Sequence, residues 1–144
     1  MNRHEGPSFS DQRMICIALV FGIAMYAIVV GVILKMNEGI GLSDEPIEVL
    51  DTVALAVGIT VAVVALLIRW IFIKKAEATA KEHRARPRLL SRIIPLTIIE
   101  GGGLLAITIW MLNGNAVPSL AVACVLLSLA IALIPLTDPD ANAV

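Results

Sequence analysis

Residues 93–112 read IIPLTIIEGGGLLAITIWML, and this stretch decides the fold. It has the roughly 20 apolar residues that an α-helix needs to cross about 30 Å of hydrocarbon. Its single charge is Glu100. An ionised carboxylate near the middle of a bilayer costs on the order of 2.5–3.5 kcal/mol even on the mildest insertion scales, so such residues are rare and face a partner or a water-filled path. At about 1.5 Å rise per residue, Glu100 lies ~10 Å from the start of the stretch and ~18 Å from its end, beyond the snorkelling reach of its side chain. It is a candidate functional residue for that reason alone.

Three more stretches have the same character: Met14 to Leu34, Val49 to Ile73 and Val117 to Leu136. Apolar residues make up 58% of the 144-residue chain and charged residues only 16%, against roughly 25% charged in ordinary soluble domains. The expectation is an all-α, four-helix transmembrane bundle forming a single integral membrane domain over residues 1–144. The first run follows Arg3 and Arg13, as a signal peptide would. It is long and lacks a small-x-small cleavage site, so it reads as an uncleaved first helix.

Lys and Arg are retained on the cytoplasmic side of a bilayer. Of the 11 basic residues, eight lie from the last turn of the second run to the start of the third (Arg69, Lys74, Lys75, Lys81, Arg84, Arg86, Arg88 and Arg92), and Arg3 and Arg13 precede the first. Lys35 alone falls on the other side. Both termini and the central loop are thereby expected in the cytoplasm of a bacterial-type inner membrane. The acidic loop of Glu38, Asp44, Glu45 and Glu48 and the turn Asn113 to Ala116 face outward. Trp70 and Trp110 suit the inner and outer interfaces. The positive-inside bias accounts for most of residues 74–92, which also suit anionic headgroups or an acidic partner.

The second run is expected to continue as helix into the cytoplasm. KKAEATAKEHRAR, residues 74–86, is rich in helix formers, with Glu77–Lys81 and Glu82–Arg86 in the favourable i, i+4 order up to Pro87. Pro46 suits a first helical position, and Glu48 and Asp51 complement the dipole of the first turns. Helices in lipid approach one another along small residues. The second run carries Ala54, Gly58 and Ala62 four apart, and the fourth carries Cys124, Ser128 and Ala132 at the same spacing. When Met14 is set on Arg92, Gly22 falls on Glu100 without a gap, a pattern compatible with two fused helical hairpins.

Around Glu100 the polar opportunities are dense. Gly101, Gly102 and Gly103 follow it, and each glycine costs about 1 kcal/mol in a helix interior, so the run marks close contact, a kink or exposed backbone. Thr97 lies one turn before it, and Pro95 frees a backbone carbonyl. One reading is an ion-binding site of Glu100, Thr97, Gly101 and Gly102 that takes up and releases a proton or monovalent cation. The other is a protonated Glu100 hydrogen-bonded to Ser128, Thr60 or Tyr26 as a packing device.

The small-residue helix, the basic loop ending Arg84-Ala85-Arg86-Pro87 and the following helix with Glu100 beside glycines resemble the hairpin of the rotary ATPase proteolipid, subunit c, over residues 49–112. The resemblance implies that Glu100 is the ion-binding carboxylate, that the loop at Arg86 and Pro87 faces a cytoplasmic stalk, and that many copies form a ring.

Other chemistry has little to stand on. Gly101 to Gly103 lack the Lys and Ser/Thr of a phosphate-binding loop. His4 and His83 are isolated. Cys16 and Cys124 read as packing residues and not as a disulfide or metal pair. No catalytic residue, metal, cofactor or nucleic acid is expected, and the chain is not read as an enzyme. The functional expectation is a small multi-pass subunit that handles protons or cations through Glu100, in a homo- or hetero-oligomer with other membrane subunits. The alternative is a structural or assembly subunit that packs through its small-residue faces.

Overall fold

The computed structural model describes residues 9–43, 45, 47–79 and 85–134. They form four helices: α1 (Phe9–Met36), α2 (Glu48–Ala78), α3 (Ala85–Asn113) and α4 (Ser119–Leu133). The first three are long and apolar enough to cross a membrane. Many large apolar side chains of α1 and α2, among them Phe21, Ile28, Ile59 and Leu67, point outward. Such a surface, on helices of spanning length, suggests a membrane protein, since water-soluble monomers rarely expose apolar patches on this scale.

The bundle is built around α3. Of its apolar stretch 44% is buried, against 17% for α1 and 11% for α2, and it contributes to both core clusters. One joins Leu96 and Ile99 to Cys16, Ala65, Leu126 and Ala130. The other joins Ala106 and Ile107 to Ile23, Val30, Leu34 and Ala123.

Side-chain contacts fix the directions. α1 and α3 run parallel: Arg92 Nη1 donates to Gln12 Oε1 at 2.8 Å near one end, and the Tyr26 and Thr108 hydroxyls pair at 3.1 Å further along. α2 runs antiparallel to α3, with Asp51 beside Asn113 and Val61 beside Gly102. α4 runs parallel to α2, with Ser119 beside Asp51 and Val122 beside Gly58. α1 and α2 do not touch, so the first two helices do not close as a hairpin although they are consecutive.

The α1–α2 connection makes that exchange of neighbours possible. It crosses the C-terminal end of α3, where Leu42 N–H donates to Met111 O at 3.1 Å and Ser43 N–H to Leu112 O at 3.0 Å. Two of the carbonyls that every helix end leaves open are thereby satisfied. Backbone meets backbone here. Gly114 has φ 69° and lies directly against Gly41, so a Cβ at either position would strike the opposite main chain.

Two boundaries differ from the sequence-based expectation. α2 stops at Ala78 and does not continue to Pro87: Thr79 is extended (φ −91°, ψ 142°), and its hydroxyl donates to Lys75 O at 2.6 Å. Threonine competes for the carbonyls of its own last turn, which favours an end over continued helix. Pro87 instead lies in the first turn of α3, where no N–H is needed. Lys81, Glu82, Pro46 and both histidines lie outside the described residues. The fourth helix is shorter than residues 117–136. Ile134 is already extended (φ −65°, ψ 127°), as the residue before a proline prefers, leaving 15 helical residues, or roughly 22 Å of helix.

Candidate functional site

α3 passes Pro95 without breaking, because that ring is buried in the bundle and packing holds the helix around it. The missing N–H leaves Ser91 O without its usual donor. One turn further on, Thr97 is exposed and its hydroxyl donates back to Ile93 O at 3.1 Å.

Glu100 is half-buried on the seam between α3 and α1. Its Oε1 sits 3.1 Å from where a Cβ on Gly22 would stand, so glycine at 22 makes the room for the carboxyl. No hydrogen-bond or ion-pair partner of Glu100 falls among the described residues. Because no polar side-chain atom there is both sealed and partnerless, the carboxyl opens onto the bundle surface, on the flank where Thr97 and Gly101 are also exposed.

The three glycines have three different surroundings. Gly101 faces open space, and a Cβ there meets nothing within 4 Å. Gly102 is buried against Val61 of α2, with a hypothetical Cβ at 2.8 Å from that side chain. Gly103 is buried against Ile23 of α1 at 3.3 Å. The last two let helices approach α3 from two sides, the role small residues have in lipid. Of the four residues read as an ion site, Glu100, Thr97 and Gly101 share one open flank, and Gly102 turns inward to α2.

None of the three groups expected to hold Glu100 does so. Tyr26 pairs with Thr108, the Thr60 hydroxyl donates to Ala56 O at 2.7 Å, and that of Ser128 to Cys124 O at 2.8 Å. Each hydroxyl is satisfied locally or along another part of the seam.

The small-residue stripes also divide. In α2, Ala54 and Gly58 are buried and Ala62 is half-buried, facing α3 and α4. In α4, Cys124, Ser128 and Ala132 are exposed, and the buried face is Ser119, Ala123, Leu126, Ala130 and Leu133. The α4 stripe therefore plays no part in packing this bundle. Both cysteines are free, Cys16 buried and Cys124 exposed.

Sequence reasoning missed a polar cluster at the end remote from the basic residues. Asn113 is buried; its Oδ1 accepts from Ile47 N–H, and its Nδ2 donates to Ile47 O and to Asp51 Oδ1, all at 3.2 Å. Ser119, fully buried, donates to the same Asp51 oxygen at 3.4 Å. The start of α2 has no side-chain cap of its own; Asn113 supplies one from another helix. The signal available was three polar residues at the ends of three apolar runs. Nothing in their spacing said that they meet.

At the opposite end a cavity of about 320 Å³ opens between α2, α3 and the last turn of α4, lined by Arg69, Glu77, Arg88, Ser91 and Arg92 among others. Lys74 lies beside it over the Trp70 ring at 4.7 Å, a pairing suited to a membrane interface.

Comparison with known proteins returns no matching family model, no matching characterised protein and no matching solved structure.

Proposed function

We propose that this chain is a small multi-pass membrane subunit that handles protons or monovalent cations at Glu100. One observation carries the reading: a carboxyl in the middle of the central helix, half-buried over Gly22, has no partner among the described residues and opens onto a flank. A carboxyl retained only for packing would be expected to have its hydrogen bonds satisfied. One that exchanges a proton or cation needs an open side, which the exposed Thr97 and Gly101 leave. In this reading the antiparallel α2–α3 pair takes the part of the proteolipid-like hairpin, and further subunits cover the Glu100 flank. The basic ends of α2 and α3 lie in the cytoplasm of a bacterial-type inner membrane, with both termini on that side.

Dicyclohexylcarbodiimide, which attacks protonated carboxyls from an apolar phase, tests this directly. Wild type in proteoliposomes is expected to be modified at Glu100 and to show a proton or sodium flux that labelling blocks. Glu100→Gln keeps the shape and loses both. Absence of labelling across the mildly acidic to mildly alkaline range, with flux unchanged in Glu100→Gln, removes the proposal.

A second reading, an assembly subunit without transport chemistry, is favoured by the outward stripe of Cys124, Ser128 and Ala132. Under it, Ser128→Leu changes the particle mass in nanodiscs, whereas Glu100→Gln leaves all function intact.

A further inference from the structure

We infer that the cavity at the basic end of the bundle is a binding site for a phosphate group, with the headgroup of an anionic phospholipid as its natural source. Three guanidiniums line it, Arg69 from α2 and Arg88 and Arg92 from α3, against one carboxylate, Glu77. The excess of positive charge is gathered from two helices into one concavity, which the positive-inside bias alone does not require. That bias places charges near a membrane end without regard to whether their side chains converge.

Arg69 is the most telling of the three. It lies one turn inside Ile73 on an apolar helix and is half-buried, with no hydrogen-bond or ion-pair partner among the described residues. A guanidinium held in that position retains its fork of donors for an incoming acceptor, and the fork matches phosphate geometry. Arg92 gives Nη1 to Gln12 Oε1 at 2.8 Å and adds its charge to the lining from the α3 side. The Ser91 hydroxyl is committed to Arg88 O at 2.7 Å, so the anion contacts fall to the arginines.

The rest of the lining says which phosphate. Pro95, Leu133 and Ile134 add apolar surface to the same cavity, and the Trp70–Lys74 pair lies alongside on α2. Guanidiniums and apolar side chains in one concavity suit a phosphodiester joined to glycerol and acyl chains. Basic pockets between membrane helices are known to take headgroups in this way. The site stands apart from Glu100, which is eight residues beyond Arg92 on α3, or roughly 12 Å along the helix.

The test uses the full-length chain in neutral detergent, followed by native mass spectrometry during titration with dioleoylphosphatidylglycerol or dioleoylphosphatidylcholine. A parallel thermal-unfolding series compares potassium phosphate with potassium chloride at equal ionic strength. Wild type is expected to retain phosphatidylglycerol in preference to phosphatidylcholine. Arg69→Gln and Arg88→Gln should each lower that preference about 5-fold, the equivalent of one interfacial basic residue. Arg69→Lys, which keeps the charge and loses the fork, should keep only part of it, and the Lys74→Gln/Lys75→Gln pair, whose charges lie outside the cavity, should keep all of it. Arg88→Gln, near the start of α3, carries the test if Arg69→Gln fails to fold. Stabilisation by phosphate salt that the arginine variants lose, without any lipid preference, assigns the site to a free phosphate. Absence of both effects overturns the inference, as does an equal loss in the Lys74/Lys75 pair.

Discussion

Two carboxylates of this apolar chain, Asp51 and Glu100, have opposite surroundings. Asp51 sits at the start of α2, where Asn113 and Ser119 both donate to it from the ends of α3 and α4. Glu100 sits mid-helix over a glycine, with no described partner. Where polar side chains tie helix ends together, the carboxylate is part of the scaffold, and removing it strands its donors. Where a carboxyl is left open in an apolar setting, its cost has to be met by something outside the chain's own packing. The difference separates an acid held by the scaffold from one that the scaffold leaves open, and it rests on neighbours, not on position in the sequence.

The largest effect is expected at the scaffold acid's hub. Asn113→Leu removes the bonds to Ile47 N–H, Ile47 O and Asp51, at about 0.5–1.5 kcal/mol for each hydrogen bond lost. Equilibrium unfolding in mixed micelles measures the loss, and an unchanged midpoint would show that the cluster does not hold the helix ends.

Next comes Gly102→Leu. Its side chain has to enter the space of Val61, and overpacking of this kind costs about 1–3 kcal/mol. Gly101→Ala, one residue nearer the acid, meets nothing and should stabilise by about 1 kcal/mol through helix propensity. If both substitutions shift stability in the same direction, the two flanks of Glu100 do not differ as described.

The smallest changes in stability are expected at Glu100 and on the outer face of α4. Glu100→Gln should stay within about 0.5 kcal/mol of wild type, as exposed or unpartnered sites do, even as carbodiimide labelling disappears. Ser128→Leu should likewise move the unfolding midpoint of the monomer by no more than about 0.5 kcal/mol. A loss at Glu100→Gln as large as that at Asn113→Leu would erase the distinction between the two acids.

Much of this was legible without coordinates. Four apolar runs, the isolation of Glu100 and the glycine run after it come directly from residue order, because membrane-spanning length and hydropathy are local properties. The small size of Gly58 amid bulky residues was legible too, and it lies against Val122 of α4. The α4 stripe had the same spacing but points outward, and its neighbour set, Ser119, Ala123 and Ala130, does the packing. Spacing fixes which residues share a helical face. It does not say which face meets the bundle.

What the sequence determined by itself was the class of solvent this chain accepts, the number of helices, and one acid that an apolar helix has to account for. The tertiary structure alone decided that α1 lies beside α3 and not beside α2, that Asp51 is held by Asn113 and Ser119, that Glu100 opens over Gly22, and that Arg69, Arg88 and Arg92 converge on one cavity. The physical reason is common to all four. Hydropathy and helix propensity act along the chain, over a few turns. Partners come from residues about 20 to 80 positions away, on other helices, and in lipid, where apolar surfaces do not discriminate among helices, close packing and interhelical hydrogen bonds select them.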